Sequence, residues 1–508
     1  MSKPRVRVSA KGWTRKIVPP KPAVSGFRAQ YDAAGSGKRA SGWDNATNEG
    51  PASMVARQLD TMRNRNRFEF RNNPALRRVS DFLVTSIVND GLKPNLKGFN
   101  DPVFEKRMSQ WMEQCDADEI NTFFELQALA TREMIEGGEN FSLKRPRNSE
   151  RDKHLSVPLQ VQLLSGEFCP TWDVDDTSKS GIVFGGPGRR SAYKFYKQHP
   201  GEYLHFGSPN GWQTETWGAD FVAHLYDKRN IGQIRGVPWS VAGLLAAHDL
   251  DAYLDAALVR QKLNAMVTWW VETPNADVGQ DAPDGYDENG DPIDENGDPW
   301  EPTDIVDLLP DLLPGSVNPL PPGYKVTPSA PTEVGGQFDV FTRRQLQRIC
   351  DAFSVPYELV FDSDGGANER FARLRHLKFY AQVRQWRRVL VSHFCKPTWS
   401  WAVDALAMNT DWKPVDGKTL DDYKNIDWIG SPPEHIYPKQ EIETDILAIE
   451  NRLKSPSQVI IERGGDPDAV FKQWAEDDKI MRNLGIKPEA FKSMIDGVST
   501  SAEDSKGR

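Results

Sequence analysis

Among its 508 residues the chain has only four cysteines, Cys115, Cys169, Cys350 and Cys395, far apart and without a C-x-x-C pair. That excludes a disulfide framework and a Cys-rich zinc site, and it fits a reducing compartment. No apolar run approaches the roughly 20 residues that span a bilayer. The N-terminus lacks the apolar core of a secretory signal, so a cytoplasmic product is expected. Positive charge is missing too, but only locally. From Leu263 to Tyr324, 62 residues pass without a Lys or Arg while carrying fourteen Asp and Glu. The chain's net charge is −9, so the other 446 residues carry +5. A like-charged run of this length repels itself and stays solvent-facing. Repeated around a ring of subunits, it would also repel a polyanion passing through.

Catalytic signatures are absent as well. Gly35-Ser36-Gly37-Lys38 has the look of a phosphate loop, but that motif needs Gly five residues before Gly37 and Ser or Thr after Lys38, where the chain has Asp32 and Arg39. Gly185-Gly186-Pro187-Gly188 lacks a dinucleotide spacing and reads as a turn. His248-Asp249 suggests a metal-dependent phosphohydrolase dyad, yet His224 is the one upstream candidate for a further ligand, and a packed or solvated helix face accounts for the pair better. There is no H-E-x-x-H, no G-x-S-x-G and no recognisable Cys–His signature. Sixteen Trp suit core and subunit-interface anchoring. Base stacking by these Trp has no single-strand-binding pattern behind it. No cofactor, metal or catalytic residue is expected.

At this length two or more cores are expected, and 38% hydrophobic with 27% charged residues suits a soluble protein. Residues 1–42 hold ten Lys or Arg against Asp32 alone, with Pro19, Pro20 and Pro22, and read as a mobile basic arm. Contact of that arm with nucleic acid or a neighbouring subunit is the alternative to a solvated tail. A helical pattern runs from Pro51 to Val88, broken near Pro74 and stopped at Asn89-Asp90-Gly91. A second covers Thr122 to Ile135, before Gly137-Gly138. β-type runs follow at Phe141–Leu143, Leu159–Leu164, Gly181–Phe184, Ala192–Tyr196 and Phe221–Leu225, giving an α+β domain with a mostly antiparallel sheet. From Ser240 to Trp269 about thirty residues pass without Pro, a rod of roughly 45 Å. Another helix, marked by Phe338, Phe341, Leu346, Ile349 and Phe353, ends before Pro356. The loop Asp362-Ser363-Asp364-Gly365-Gly366-Ala367-Asn368 then leads into a helix from Glu369 to about Phe394 with seven Lys or Arg and one acid. Helices are expected over Gln440–Leu453 and Ser457–Arg463, followed by a charged, poorly hydrophobic tail.

The acidic stretch holds a duplication, DENGDPI then DENGDPW, at Asp287–Ile293 and Asp294–Trp300. Asn289-Gly290 and Asn296-Gly297 each suit a tight type I′ turn, so a protruding hairpin or paired turns is expected. A calcium loop of the EF-hand kind would need an acid five residues before its Gly, where Gly285 and Pro292 stand.

Several segments together resemble the lambda-type family of tailed-bacteriophage portal proteins. They are YDAAGSGKRASGW (Tyr31–Trp43), RNNPALRRVSDFLVTSIVNDGLKP (Arg71–Pro94), QVQLL (Gln160–Leu164), GQIRGVPW (Gly232–Trp239), DLDAYLDAALVRQKLNA (Asp249–Ala265), VPYELV (Val355–Val360) and DILAIENRLKSPSQVIIERGGDP (Asp445–Pro467). Each is weak alone; their shared order across nearly the whole chain is specific. The resemblance implies an α+β portal-type subunit with a wing, two long stem helices, a small α/β clip and a helical crown, assembled as a ring, typically a dodecamer, at one capsid vertex. Double-stranded DNA would pass through it non-specifically during packaging and ejection. It implies a basic arm over 1–50, the wing over 51–238, stem helices over 239–270 and 337–355, and an acidic clip over 271–336. A tunnel loop would cover 356–368, a tunnel helix and wing return 369–435, the crown 436–490 and a disordered tail 491–508.

Asp362, Ser363, Asp364, Gly365, Gly366, Ala367 and Asn368 would line the bore, with Gly365 and Gly366 letting the loop shift. Asp287, Glu288, Asp291, Asp294, Glu295 and Asp298 would form the docking face of the clip. Implied partners are terminase, major capsid and scaffolding proteins and head-completion adaptors, with no membrane. The implied location is the virion, after assembly in the host cytoplasm. Two features depart from the pattern: Glu369-Arg370-Phe371 replaces the usual Tyr-Ser-Ser, and the duplicated DENGDP segment is an elaboration. Energy would come from a separate ATPase. A phage DNA-processing enzyme, a nuclease or terminase subunit, is the alternative reading. A shell-forming capsid protein is a third.

Overall fold

The computed structural model describes residues 48–484 except 97–98, 149, 176, 187, 203–212, 266–268, 273–284, 287–288, 291, 294–298, 300–324, 329–337, 362–368, 432–437 and 466. The chain divides at Gly50 into two units. Of the first, only Asn48–Gly50 are described, and the architecture is that of the second.

Two helices open it, α1 (Pro51–Asn72) and α2 (Pro74–Ile87). Pro74 forces the break, because it has no N–H to give the preceding turn. Asn73 turns the break into a start: its side chain accepts from Ala75 N (3.0 Å) and Leu76 N (3.3 Å). Strand β1 (Lys93–Asn95) follows, then α3 (Pro102–Gln114), capped by Asp101, and α4 (Phe123–Glu136), opened by a Thr122–Glu125 capping box. Helix α3 is absent from the sequence reading.

The strands form two antiparallel sheets. In the first, β2 (Glu139–Pro146) lies between β3 (Leu159–Ser165) and β8 (Val222–Tyr226). The second is a meander of β4 (Ser178–Lys179), β5 (Ile182–Gly186), β6 (Arg189–Tyr196) and β7 (Thr214–Gly218). Phe141, Leu143, Leu164, Ile182, Tyr193, Phe195 and Val222 fill a small core of their own.

The stem follows. Trp239–Ala242 make a 3-10 turn, then α5 runs from Leu244 to Ala265, 22 residues and about 33 Å. This is shorter than the thirty-residue rod read from the sequence, for two local reasons. Gly243 ends the 3-10 turn, and Trp269–Glu272, rich in β-formers, is a strand, β9. Strand β9 pairs with β12 (Lys325–Pro328), and β10 (Gly285–Tyr286) with β11 (Pro292–Ile293). Helix α6 (Phe338–Ala352) returns along α5, followed by the one-turn α7 (Tyr357–Val360). Gly243 lets α5 and α6 meet: a Cβ there would lie 2.8 Å from the Ala352 Cβ. Farther along, Tyr253 stacks between Phe338 and Phe341 (centroids 5.9 and 4.9 Å).

The basic helix is longer than expected. Helix α8 (Glu369–Leu390) continues through a widened π turn, Val391–Cys395, into α9 (Lys396–Asn409). Pro397 explains the bulge. It cannot donate to the His393 carbonyl, and its ring would clash with it in a regular turn; the extra residue in the π turn relieves both. Short α10 (Leu420–Lys424) and β13 (Asp427–Ile429) close the wing, β13 pairing with β1. The main core gathers Leu83, Ile87, Trp111, Phe123, Ile349, Phe353, Phe394, Trp399 and Tyr423. Asp101 pins its two ends together, accepting from Trp412 Nε1 (3.1 Å) and Tyr423 Oη (2.9 Å).

Three helices end the described chain: α11 (Pro438–Glu450), α12 (Pro456–Glu462) and α13 (Pro467–Asn483). The last occupies what reads as tail in the sequence. Its proline start, Asp468 in the first turn and Arg482 in the last are ordinary helix signals.

Candidate functional site

Between α1 and the β2–β3–β8 sheet, the structure buries four charged or titratable side chains together. Glu139, at the start of β2, is fully enclosed. Its Oε1 accepts from Arg63 Nη2 (2.5 Å) and Arg235 Nε (2.7 Å); its Oε2 accepts from Gly236 N (2.7 Å) and faces His224 Nε2 (2.9 Å). Other guanidinium hydrogens go to carbonyls: Arg63 to Gly137 (2.8 Å) and Gly166 (3.1 Å), Arg235 to Ser180 (2.7 Å), Gly166 (3.0 Å) and Cys169 (3.0 Å). Buried cations are tolerated when every donor finds such a partner.

The state of His224 follows from its neighbours. Arg190 Nη1 lies 2.7 Å from His224 Nδ1, and arginine has only donors, so Nδ1 accepts. The imidazole is therefore neutral, with its proton on Nε2 donated to Glu139. Burial holds its pKa down, at about 4, against the pull of Glu139. Burial would raise Glu139, but Arg235 and Arg63, with the His224 hydrogen bond, outweigh it and hold the carboxyl well below its usual range.

Beside this network Arg67 serves two acids, Glu133 and Glu167. Burial pushes Glu133 up to about 7 despite Arg67, because that guanidinium is shared. Glu167, whose burial Arg67 overcomes, falls to about 2. Helix α1 continues the attachment upward. Ser240 Oγ donates to Asn66, Asn73 Nδ2 donates to the Ala247 carbonyl (3.2 Å), and Glu69 Oε1 meets His248 Nδ1 at 2.7 Å. The N-terminal end of α5 is thus bolted to α1. His248 and His224 belong to separate contacts, and among the described residues no cluster of His, Cys, Asp or Glu is placed to hold a metal.

The expected tunnel-loop residues Asp362, Ser363, Asp364, Gly365, Gly366, Ala367 and Asn368 lie outside the described residues, as do the expected docking acids Asp287, Glu288, Asp291, Asp294, Glu295 and Asp298. What flanks them is described. An ion pair between Glu358 on α7 and Arg375 on α8 (2.7 Å) links the two sides of the loop. Farther along α8, Arg387 donates to the carbonyls of Ile87 (2.7 Å), Ser86 (3.1 Å) and Ser431 (2.8 Å), so one charge of the basic helix is spent capping α2.

In the acidic stretch, Tyr286 pairs with Pro292 across five residues containing Asn289-Gly290, with Gly290 at φ +89°. The hairpin is present, but its turn is longer than a two-residue type I′. Such a turn would set Glu288 opposite Asp291, two like charges. The second Asn-Gly lies outside the described residues.

Sequence reasoning missed the Arg63–Glu139–Arg235 cluster. The signal was there: the Ile-Arg-Gly-Val-Pro run around Arg235 and the Gly137-Gly138-Glu139 run. A Cβ on Gly138, at φ +89°, would fall on the Val237–Pro238 backbone, so the two runs must touch.

Residues 36–387 match the model of the phage portal protein, lambda family. The chain belongs to that family. Over 305 residues it is 23% identical to a probable portal protein of Halomonas phage phiHAP-1; the match covers 58% of this chain and 54% of the relative, about half its length. Among solved structures, it resembles a chain in the neck of an empty gene transfer agent particle computed with C6 symmetry (TM-score 0.42, 13% identity, 81% of this chain and 94% of that one). It also resembles one in the native particle's neck with C12 symmetry (TM-score 0.40, 14% identity, 81% and 94%).

Proposed function

We propose that the protein is the portal of a tailed phage: a ring of identical subunits, a dodecamer, at one capsid vertex, through which double-stranded DNA enters during packaging and leaves on ejection. Membership of the lambda portal family from residue 36 to 387 carries this reading, because that span takes in the wing, both stem helices and most of α8. Terminase and head-completion proteins would dock on the acidic clip, with major capsid and scaffolding proteins around the wing. The particle would assemble in the host cytoplasm. Among the described residues no helix is long and apolar enough to cross a membrane. The role is structural, and among the described residues no metal-holding cluster supports an enzyme of DNA processing.

The proposed physics is that of a conduit that must not stick. Duplex DNA carries about one charge per 1.7 Å, and each phosphate neutralised by a cation adds affinity. A bore lined by Asp362 and Asp364, with Gly365 and Gly366 beside them, would centre the polymer by repulsion while yielding as it moves. The Glu358–Arg375 pair would brace the two sides of that loop.

Electron microscopy of the purified protein tests the reading. Rings with an axial opening are expected, and a monomer with metal-dependent nuclease activity would overturn it. Changing Asp287, Glu288, Asp291, Asp294, Glu295 and Asp298 together to their amides should leave rings intact and impair motor docking or DNA passage. Loss of the ring in that variant would count against the clip assignment.

A further inference from the structure

We propose that the ring closes by laying the outer face of α5 in one copy against the outer face of α8 in the next, with Asp251 and Asp255 meeting Arg384 and Arg388. This rests on the ring reading and names the surface that would make it.

Helix α5 carries apolar side chains that its own chain leaves open. Leu244, Ala247 and Leu250 are buried, while Leu245 (70% exposed), Leu258 (53%) and Val259 (55%) are exposed. Within the chain α5 packs along α6 and α1, and exposed aliphatic side chains grouped on one helix are the kind of surface a partner covers. Helix α8 repeats the situation. Phe379, Val383 and Trp386 are buried, and Leu374 (47%) and Leu377 (57%) are exposed.

Charge says what covers them. Asp251 and Asp255 stand four residues apart on α5, and Arg384 and Arg388 four apart on α8. Like charges at that spacing face each other on one helix surface and repel, yet among the described residues none of the four has a partner of opposite sign. Each pair spans about 6 Å along its axis, so the pairs match in length as well as in sign. With Asp251 set on Arg388 and Asp255 on Arg384, Leu258 falls opposite Ala381 and Leu377 opposite the apolar stem of Lys262. Because the two faces differ, the contact is head-to-tail, the type that propagates into a closed ring rather than stopping at a dimer. Duplex DNA is the competing occupant of the α8 arginines, but it would leave the acidic, apolar face of α5 bare.

The test uses the full chain in two variants. One carries Asp251→Arg with Asp255→Arg, the other Arg384→Asp with Arg388→Asp. Each alone should be a folded monomer by circular dichroism and native mass spectrometry, with ring formation reduced at least tenfold. Mixed, the two should restore rings holding both at one to one, since every junction between unlike copies regains opposite charges. The milder Arg384→Gln with Arg388→Gln should raise the concentration for half-assembly about tenfold and keep the fold, so a misfolded reversal does not decide the matter. Rings from either reversed variant alone, or folded variants that fail to co-assemble, would overturn the pairing. So would amide variants that assemble like wild type but lose DNA retention, which would assign the arginines to DNA. A wild-type chain that forms no ring would instead sink the portal reading itself.

Discussion

Changing Glu139 to Gln removes one charge from a carboxylate that receives Arg63, Arg235, His224 and Gly236. The amide keeps one accepting oxygen and replaces the other with an NH2 group, which must then face hydrogen-bond donors. Two guanidinium groups also lose their only buried counter-ion in that network. Breaking a buried pair from one side costs roughly 3–5 kcal/mol. If the wing, roughly 190 residues, unfolds as a unit, its unfolding entropy is about 0.4 kcal/mol/K, so the melting temperature should fall by about 8–12 °C. Thermal unfolding followed by tryptophan fluorescence, at matched protein concentration because assembly adds its own stability, gives the measurement. Glu215→Gln is the control: that acid is about half exposed and 3.7 Å from Lys197, and its loss should move the midpoint by about 1 °C or less. A Glu139 variant that melts with the control would refute the claim that this network holds α1 to the β2–β3–β8 sheet.

Acid sensitivity should be masked in the wild type and revealed by substitution. His224, at about 4 when folded and 6.5 ordinarily, takes up a proton on unfolding, so its contribution is full above 6.5 and is lost as pH falls toward 4. Glu133, at about 7 when folded and 4.5 ordinarily, holds a proton that the unfolded chain releases, so its contribution is present below 4.5 and lost as pH rises toward 7. Each is worth up to about 3 kcal/mol, with opposite slopes. Urea midpoints measured from pH 4.5 to 6.5 should therefore be nearly flat in the wild type and rise with pH in Glu133→Gln; a flat profile in that variant would contradict the assignment. Gly243→Ala should cost about 1–3 kcal/mol by overpacking against Ala352, and adding Ala352→Gly should recover most of it in the same assay. Asp101→Ala, which removes the cap of α3 and strands two buried donors, should cost about 2–4 kcal/mol, whereas Asp101→Asn should cost less than half of that.

The sequence disclosed elements where the signal was local. Asn73-Pro74, Thr122 with Glu125, and Pro356 are each visible in a few residues, and the helix boundaries fall where capping and proline chemistry put them. It concealed what depends on distant residues. Helix α3 has its N-cap in Asp101, but the same carboxylate also holds Trp412 and Tyr423, more than 300 positions away, and no local pattern announces that. Pro397 reads as a helix terminator, and the continuation to Asn409 depends on a π turn whose geometry is set by packing of Phe394 and Cys395 in the main core.

Arg63 looked like one more cation in the charged run RQLDTMRNRNRFEFR, though it is almost fully buried while Arg65 two positions on is exposed. Two residues along a helix is 200°, so the sides differ, but periodicity counted on apolar residues alone cannot report a buried arginine. The same limitation explains α5. Its apolar residues are spread round the axis between charged ones, which a single-face reading takes for poor amphipathicity and hence for an isolated rod. Within the chain α5 packs along α6 and α1, and its exposed Leu258 and Val259, beside Asp251 and Asp255, form the face that the proposed neighbouring copy would cover.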